Sequence, residues 1–166
     1  MRWCAPPIAS RDSCVRNPEF TVKALIQRVS RAQVSVAGDI VGGIDTGLLV
    51  LLGVEKNDDE GNAAKMADKL LAYRVFADDQ GRMNRNVVEA GGGLLVVSQF
   101  TLAADTDKGL RPSFSSAAEP KRARQLYQWL VDALAARHAL VACGRFGADM
   151  QVQLVNDGPV TFLLTT

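Results

Sequence analysis

Two uninterrupted apolar runs limit what this chain can become: Leu48 to Val54 and Leu94 to Val97. Neither alternates, so each reads as a strand buried inside the fold. Gly91-Gly92-Gly93 leads into the second run, and Ser98-Gln99-Phe100-Thr101-Leu102 follows it directly. Polar groups arriving at the end of a buried strand need partners, because an unsatisfied buried hydroxyl or amide costs about 1–3 kcal/mol. Ser98, Gln99 and Thr101 therefore either tie down structure or meet a ligand.

The flanking pattern supplies the rest of the fold class. Val22 to Val29, Gln33 to Val36 and Ile40 to Ile44 read as three strands ahead of Leu48, with Gly38-Asp39 and Asp45-Thr46-Gly47 as turns. Asp58 or Asp59 caps a helix to about Arg74, with Ala63, Met66, Ala67, Leu70 and Leu71 as its apolar stripe. Val75 and Phe76 are extended, and Asp78 to Gly81 turns. Ala103 to Ser113 reads as a polar surface loop. A second long helix has Pro120 in its first turn and a stripe of Ala123, Leu126, Trp129 or Leu130, and Ala133 or Leu134. Leu140 to Cys143, Gln151 to Val155 and Val160 to Leu164 are the closing strands. The short turns between the first four strands favour antiparallel pairing. The expected fold is α+β: a curled, barrel-like, antiparallel-rich sheet with two long helices packed on it.

Residues 1–21 differ, with Pro6-Pro7, Pro18, scattered arginines and no periodicity. They lack the continuous apolar segment of a signal peptide. They read as a disordered leader or an over-extended start ahead of a single domain, 22–166, with Val22 as a candidate true start. No run reaches the roughly 18 apolar residues of a membrane span, so no membrane partner is expected. Cys4, Cys14 and Cys143 make an odd number with no framework spacing, which fits a reducing cytoplasm. A formal net charge of +1 argues against general coating of nucleic acid, so any RNA partner must meet a local patch.

The inventory of reactive groups is poor. His138 is the only histidine and falls at the end of the second helix, a usual place for a cation that complements the helix dipole. A Ser-His-Asp triad and a zinc site both lack their ligands. Gly91-Gly92-Gly93 precedes a strand, whereas a dinucleotide-binding fingerprint follows one. Asp58-Asp59-Glu60 and Asp78-Asp79 read as a helix start and a turn. What remains is hydroxyls, backbone N–H groups and whatever the substrate brings. An oxyanion donor alone contributes about 10²–10³ in rate, enough only for an already reactive bond such as an activated ester.

A second unusual stretch, Asn156-Asp157-Gly158-Pro159-Val160-Thr161, falls between the last two strands. By composition it is a hairpin turn. Taken together, Ser98–Leu102 and Asn156–Thr161 resemble the motif pair of the D-aminoacyl-tRNA deacylases, formerly called D-tyrosyl-tRNA deacylases. Ala24–Val29, Leu48–Glu55, Lys108-Gly109-Leu110-Arg111-Pro112-Ser113-Phe114 and Gly144-Arg145-Phe146-Gly147-Ala148-Asp149-Met150 are similar to that family as well. The resemblance runs from Val22 to Thr166.

The resemblance implies hydrolysis of the ester joining a D-amino acid, or mischarged glycine, to the terminal adenosine of tRNA. That bond is an activated ester. It also implies a barrel-like α+β homodimer with its sites at the interface, and no metal or organic cofactor. Ser98, Gln99, Phe100 and Thr101 would line the catalytic pocket. Phe146, Gly147 and Met150 would shape it near the adenosine, although Met150 also reads as plain core packing. Gly158-Pro159, expected to be cis, would enter the partner's pocket and reject L side chains. Two mechanisms stay open. Thr101 is a nucleophile without an evident base, or the ribose 2′-hydroxyl assists while the protein positions and polarises the ester. The second asks for no missing residue and is preferred. Lys108, Arg111, Lys121, Arg122 and Arg124 are either the tRNA patch or a solvated loop and helix start. A non-enzymatic tRNA-binding module and a purely structural homo-oligomer are the competing readings.

Overall fold

The computed structural model describes residues 22–107 and 109–166. The leader and Lys108 lie outside the described residues. Eight strands and two helices follow in order: β1 (Lys23–Val36), β2 (Asp39–Ile44), β3 (Gly47–Gly53), α1 (Glu60–Ala72), β4 (Phe76–Ala77), β5 (Met83–Arg85), β6 (Gly93–Ser98), α2 (Pro120–Ala135), β7 (Val141–Cys143) and β8 (Gln151–Thr165). A 3₁₀ turn, Phe100–Ala103, follows β6.

The main sheet is mixed. Its order is β2-β1-β3-β6-β7, with β8 on the other edge of β1. β1 pairs antiparallel with β2, β3 and β8, while β3–β6 and β6–β7 are parallel. The strands joined by the short early turns pair antiparallel as expected, and the parallel pairs come from the later strands β6 and β7. The β3–β6 connection carries α1 and the β4–β5 pair, and the β6–β7 connection carries α2. Crossovers of that length make parallel neighbours. Leu48, Leu49, Val50, Leu94, Leu95 and Val96 are all buried, as parallel central strands require. β2 curls back toward β7, where a Cβ on Gly42 would lie 2.6 Å from the Cys143 carbonyl oxygen. The barrel therefore nearly closes, without a hydrogen-bonded seam between these two strands.

Two pairs of expected strands are in fact single long ones. Val22–Val29 and Gln33–Val36 merge into the 14-residue β1. Gln151–Val155 and Val160–Leu164 merge into the 15-residue β8. Asn156–Pro159 is consequently not a hairpin turn. Gln27 pairs with Thr161 and Val29 with Asn156, so residues 157–160 bulge opposite Arg28 alone. Pairing with β1 continues on both sides and carries the strand through.

Both helices fall where expected. Asp59 caps α1 by accepting from the Asn62 N–H at 2.8 Å, and the predicted stripe of Ala63, Met66, Ala67, Leu70 and Leu71 is buried. In α2 the buried positions include Leu126, Leu130 and Leu134, and Trp129 stays exposed. The two helices pack on each other and cover one face of the sheet, in a core that includes Ile26, Leu52, Met66 and Leu130. Among the described residues no helix is long and apolar enough to cross a membrane.

Candidate active site

The three parallel strands all end at one rim of the barrel: β3 at Gly53, β6 at Ser98 and β7 at Cys143. The segments that follow them, with the start of α2, enclose a cavity of about 480 Å³. Its floor is apolar, from Leu52, Val54 and Val97. Ser98, Gln99 and Phe100 enter from one side, Ala123 and Tyr127 from α2, and Phe146, Gly147 and Met150 from the turn after β7. Seven of the nine residues singled out from sequence are thus gathered here, six lining the cavity and Thr101 in the 3₁₀ turn on its edge.

The turn is held rigidly. The Gln99 N–H donates to the Leu52 carbonyl at 2.7 Å, and the Gln99 carbonyl accepts from Leu102 N–H at 3.2 Å. Gly53 makes room for it: a Cβ there would sit 2.8 Å from the Leu102 Cβ and 3.2 Å from the Gln99 carbonyl oxygen. Hydrogen bonding within the turn begins at Leu102 N–H. The N–H groups of Phe100 and Thr101 precede that first donor, as at the start of any helical turn, and have no carbonyl within it to satisfy them. The Gln99 side-chain amide donates to Thr101 Oγ1 at 2.5 Å. A lone pair of the threonine oxygen is occupied, and its neighbour is an amide, which is no base. Phe100 is 61% exposed and leans on Phe114, ring centroids 5.1 Å apart.

No acid–base pair lines the cavity. Its one titratable lining group is Tyr127, whose hydroxyl donates to the Val96 carbonyl at 2.9 Å and whose ionisation burial pushes upward. The phenol stays neutral well beyond its ordinary range. His138 is elsewhere, with Nε2 2.8 Å from the Gly92 carbonyl oxygen, and serves structure. Asp58 is buried beside the helix start and accepts from the Glu55 N–H at 2.7 Å; burial raises its carboxyl, but it does not line the cavity. Among the described residues no cluster of His, Cys, Asp or Glu would hold a metal. With no ionising pair in the cavity, turnover of a bound ester, corrected for spontaneous hydrolysis, should lack a bell-shaped profile between about pH 5.5 and 8.5. Single-turnover rates across that range are the check. Two midpoints inside it would reveal an acid–base pair this pocket does not contain.

The remaining two residues are not brought to this cavity. Gly158 and Pro159, joined by a cis peptide, crown the β8 bulge, and neither lines the cavity of its own chain. Asn156 closes the base of the bulge, accepting from the Val160 N–H at 2.7 Å and donating to Thr161 Oγ1 at 3.1 Å. Arg28 clamps it from β1. Its Nη1 donates to the Val75 carbonyl at 2.6 Å, and its Nε donates to the Asp157 carbonyl at 3.0 Å and lies 3.2 Å from the Asp157 carboxylate. Gly158 has φ +137°, and a Cβ there would lie 3.2 Å from Arg28 Nη2. Only glycine fits that backbone beneath the guanidinium. Arg28, Tyr127 and Gly53 have supporting roles that the motifs do not reveal. An arginine inside a strand with buried neighbours is the one available signal, because such a charge needs partners.

A larger hollow of about 1000 Å³ opens between β2, β7 and β8, with Arg31 and Asp45 as its only charged lining groups. Gln33, Thr46 and Gln153 also line it, and the Gln33 amide donates to Gln153 Oε1 at 2.8 Å.

The rim thus combines a rigid turn, whose first two N–H groups have no carbonyl within the turn, with an apolar pocket that no acid–base pair lines. Residues 25–165 match the sequence profile of the D-Tyr-tRNA(Tyr) deacylases. A D-aminoacyl-tRNA deacylase of Stutzerimonas stutzeri (strain A1501) is 65% identical over 143 residues, 86% of this chain and 99% of that protein. One of Pseudomonas aeruginosa (strain LESB58) is 63% identical over the same length, again 86% and 99%. Among solved structures, one titled c-Myc DNA Unwinding Element Binding Protein superimposes with TM-score 0.82 at 39% identity, covering 86% of this chain and 97% of its own. A probable eukaryotic D-amino acid tRNA deacylase shares the fold, with TM-score 0.76 at 15% identity, covering 88% and 100%. The chain belongs to the D-Tyr-tRNA(Tyr) deacylase family, a family of ester hydrolases.

Proposed function

We propose that this chain hydrolyses the ester of D-aminoacyl-tRNA, and of tRNA mischarged with glycine, releasing free tRNA and the amino acid. Residues 22–166 act as one deacylase unit, in the cytoplasm, as a proofreading step of translation. The observation that carries the reading is a 3₁₀ turn, whose Phe100 and Thr101 N–H groups precede its first donor, beside a pocket that no acid–base pair lines. The ester carbonyl oxygen sits against those N–H groups, which stabilise the charge that develops on it. Ser98 and Gln99 hold the aminoacyl end, and Phe146, Gly147 and Met150 shape the adenosine side. The adjacent ribose 2′-hydroxyl assists attack, and Thr101 positions rather than attacks.

The chain works as a homodimer with its sites at the interface. Two features support this. Among the described residues β8 pairs only with β1, which leaves its outer edge long and unpaired there, and Leu154, Val155, Phe162 and Leu163 are exposed along the strand. The Gly158-Pro159 segment is braced by its own chain yet does not line its own chain's cavity, so it is free to enter that of a second copy and exclude L side chains there.

Incubating the pure protein with D-Tyr-tRNA and L-Tyr-tRNA tests the reading. Selective loss of the D ester is expected, from a species that sediments as a dimer. Equal, negligible loss of both esters would remove it.

A further inference from the structure

α2 presents two stripes at the mouth of the cavity. Pro120, Ala123 and Tyr127 line the cavity itself. Lys121 and Arg124 are three residues apart and therefore neighbours on one flank of the helix. Arg122 projects from a different side, toward α1, where its Nη1 is 2.8 Å from a Glu60 carboxylate oxygen. The expected basic patch is thus divided: Arg122 is committed to holding the two helices together, and Lys121 and Arg124 are not. Both are exposed, and among the described residues neither lies in a salt bridge. Arg124 is also placed. Its guanidinium carbon stands 5.8 Å from the centroid of the Phe146 ring, a cation–π distance. That ring lines the cavity and packs against Tyr127 at 5.7 Å. The aromatic wall of the pocket therefore carries on its rim a cation with unused hydrogen-bond donors.

We propose that Lys121 and Arg124 form a phosphate subsite at the mouth of the cavity, which takes the phosphodiester groups leading into the terminal adenosine. The inference rests on the ester reading above. An adenosine whose ester reaches the 3₁₀ turn lies in the cavity, and its phosphate chain leaves over the rim. The planar guanidinium, steadied by Phe146, pairs with phosphate oxygens in a fixed orientation, and the lysine adds a mobile charge one turn away. Glu119 is the only carboxylate from the start of α2 to Tyr127, so the flank keeps a positive balance. These contacts set register and affinity and carry no information about the amino acid.

Two substrates separate this role from a structural one: D-Tyr-tRNA and 3′-O-D-tyrosyl-adenosine, which has the same ester and no phosphate. For Lys121→Gln/Arg124→Gln, kcat/KM on the tRNA ester should fall about tenfold or more, with most of the change in KM. The salt dependence of log kcat/KM should flatten by about 0.7 for each contact removed. The loss should be much smaller on the phosphate-free ester, and Arg124→Lys should recover part of it. Arg137→Gln, which removes a cation just past the far end of α2 that pairs with Asp68 of α1, should leave the tRNA reaction and its salt slope as they are. Equal losses on both substrates, or an unchanged salt slope in the double variant, would overturn the subsite. Equilibrium binding of uncharged tRNA keeps the two ideas distinct. Salt-dependent binding that needs Lys121 and Arg124, with no cleavage of either D ester by the unaltered protein, would retain the subsite and reject the ester reading.

Discussion

D-Tyr-tRNA ending in 2′-deoxyadenosine should be cleaved about 10²–10⁴ times more slowly than the ribose ester, the range usual for a lost acid–base group. Thr101→Ala, in contrast, should keep most of its turnover. Hydrolysis needs a nucleophile brought into line, a carbonyl made electron-poor and a proton relay. On the proposed reading the second of these falls to the N–H groups of Phe100 and Thr101 in the 3₁₀ turn, which a side-chain change at 101 leaves in place. Thr101 Oγ1 is already an acceptor for the Gln99 amide, and no residue lining the pocket can take its proton. An unaided hydroxyl is a weak nucleophile. The neighbouring ribose hydroxyl is the group left to assist, held within reach by binding. Rapid-quench rates for both esters and both proteins decide the matter. If Thr101→Ala abolished turnover while binding stayed normal, Thr101 would be the nucleophile and the cradle reading would fail.

Arg28→Ala should cost the protein its handedness as well as some of its stability. The guanidinium bridges the β8 bulge to the Val75 carbonyl, and it is largely buried, with 15% of its side-chain surface exposed. Hydrogen bonds to charged groups are worth about 1.5–3 kcal/mol each, and removing the arginine also leaves the Val75 carbonyl without this donor. With the clamp gone, Gly158-Pro159 would no longer be held in one place, and the exclusion of L side chains proposed for it would fail with the position. The rate on L-Tyr-tRNA relative to D-Tyr-tRNA should rise about tenfold or more, a change of about 1.4 kcal/mol in discrimination. Arg28→Lys should not restore it, since one ammonium cannot serve Val75 and Asp157 in a fixed fork. Paired D and L assays beside a thermal melt check this. A variant with lowered melting temperature and undiminished selectivity would mean that the bulge holds its shape without Arg28.

These two predictions draw on different amounts of what the sequence shows. The apolar runs at Leu48 and Leu94, the stripes of both helices and the cap at Asp59 were legible, because burial and periodicity are local consequences of residue type. The lack of an acid–base pair was legible from one histidine and scattered carboxylates. The continuity of β1 and β8 was not. Asn156, Asp157, Gly158 and Pro159 are turn formers by local preference, yet the strand runs on because β1 pairs with it on both sides of the bulge. Local preference is worth less than a ladder of tertiary hydrogen bonds. The parallel pairing of β3, β6 and β7 was likewise decided by how the helical crossovers pack.

The sequence by itself determined that a buried strand delivers Ser98 to Thr101 to its end, and that His138 is the single histidine of the chain. Only the tertiary structure decided how that stretch is used. Folding closes the Gln99 amide onto Thr101, sets Gly53 beneath the turn, divides Arg122 from Arg124, and carries Gly158-Pro159 away from its own cavity on a bulge held by Arg28. Apart from the Gln99–Thr101 contact, which spans two residues, each of these depends on distances between residues far apart in the chain, which packing fixes and residue order does not.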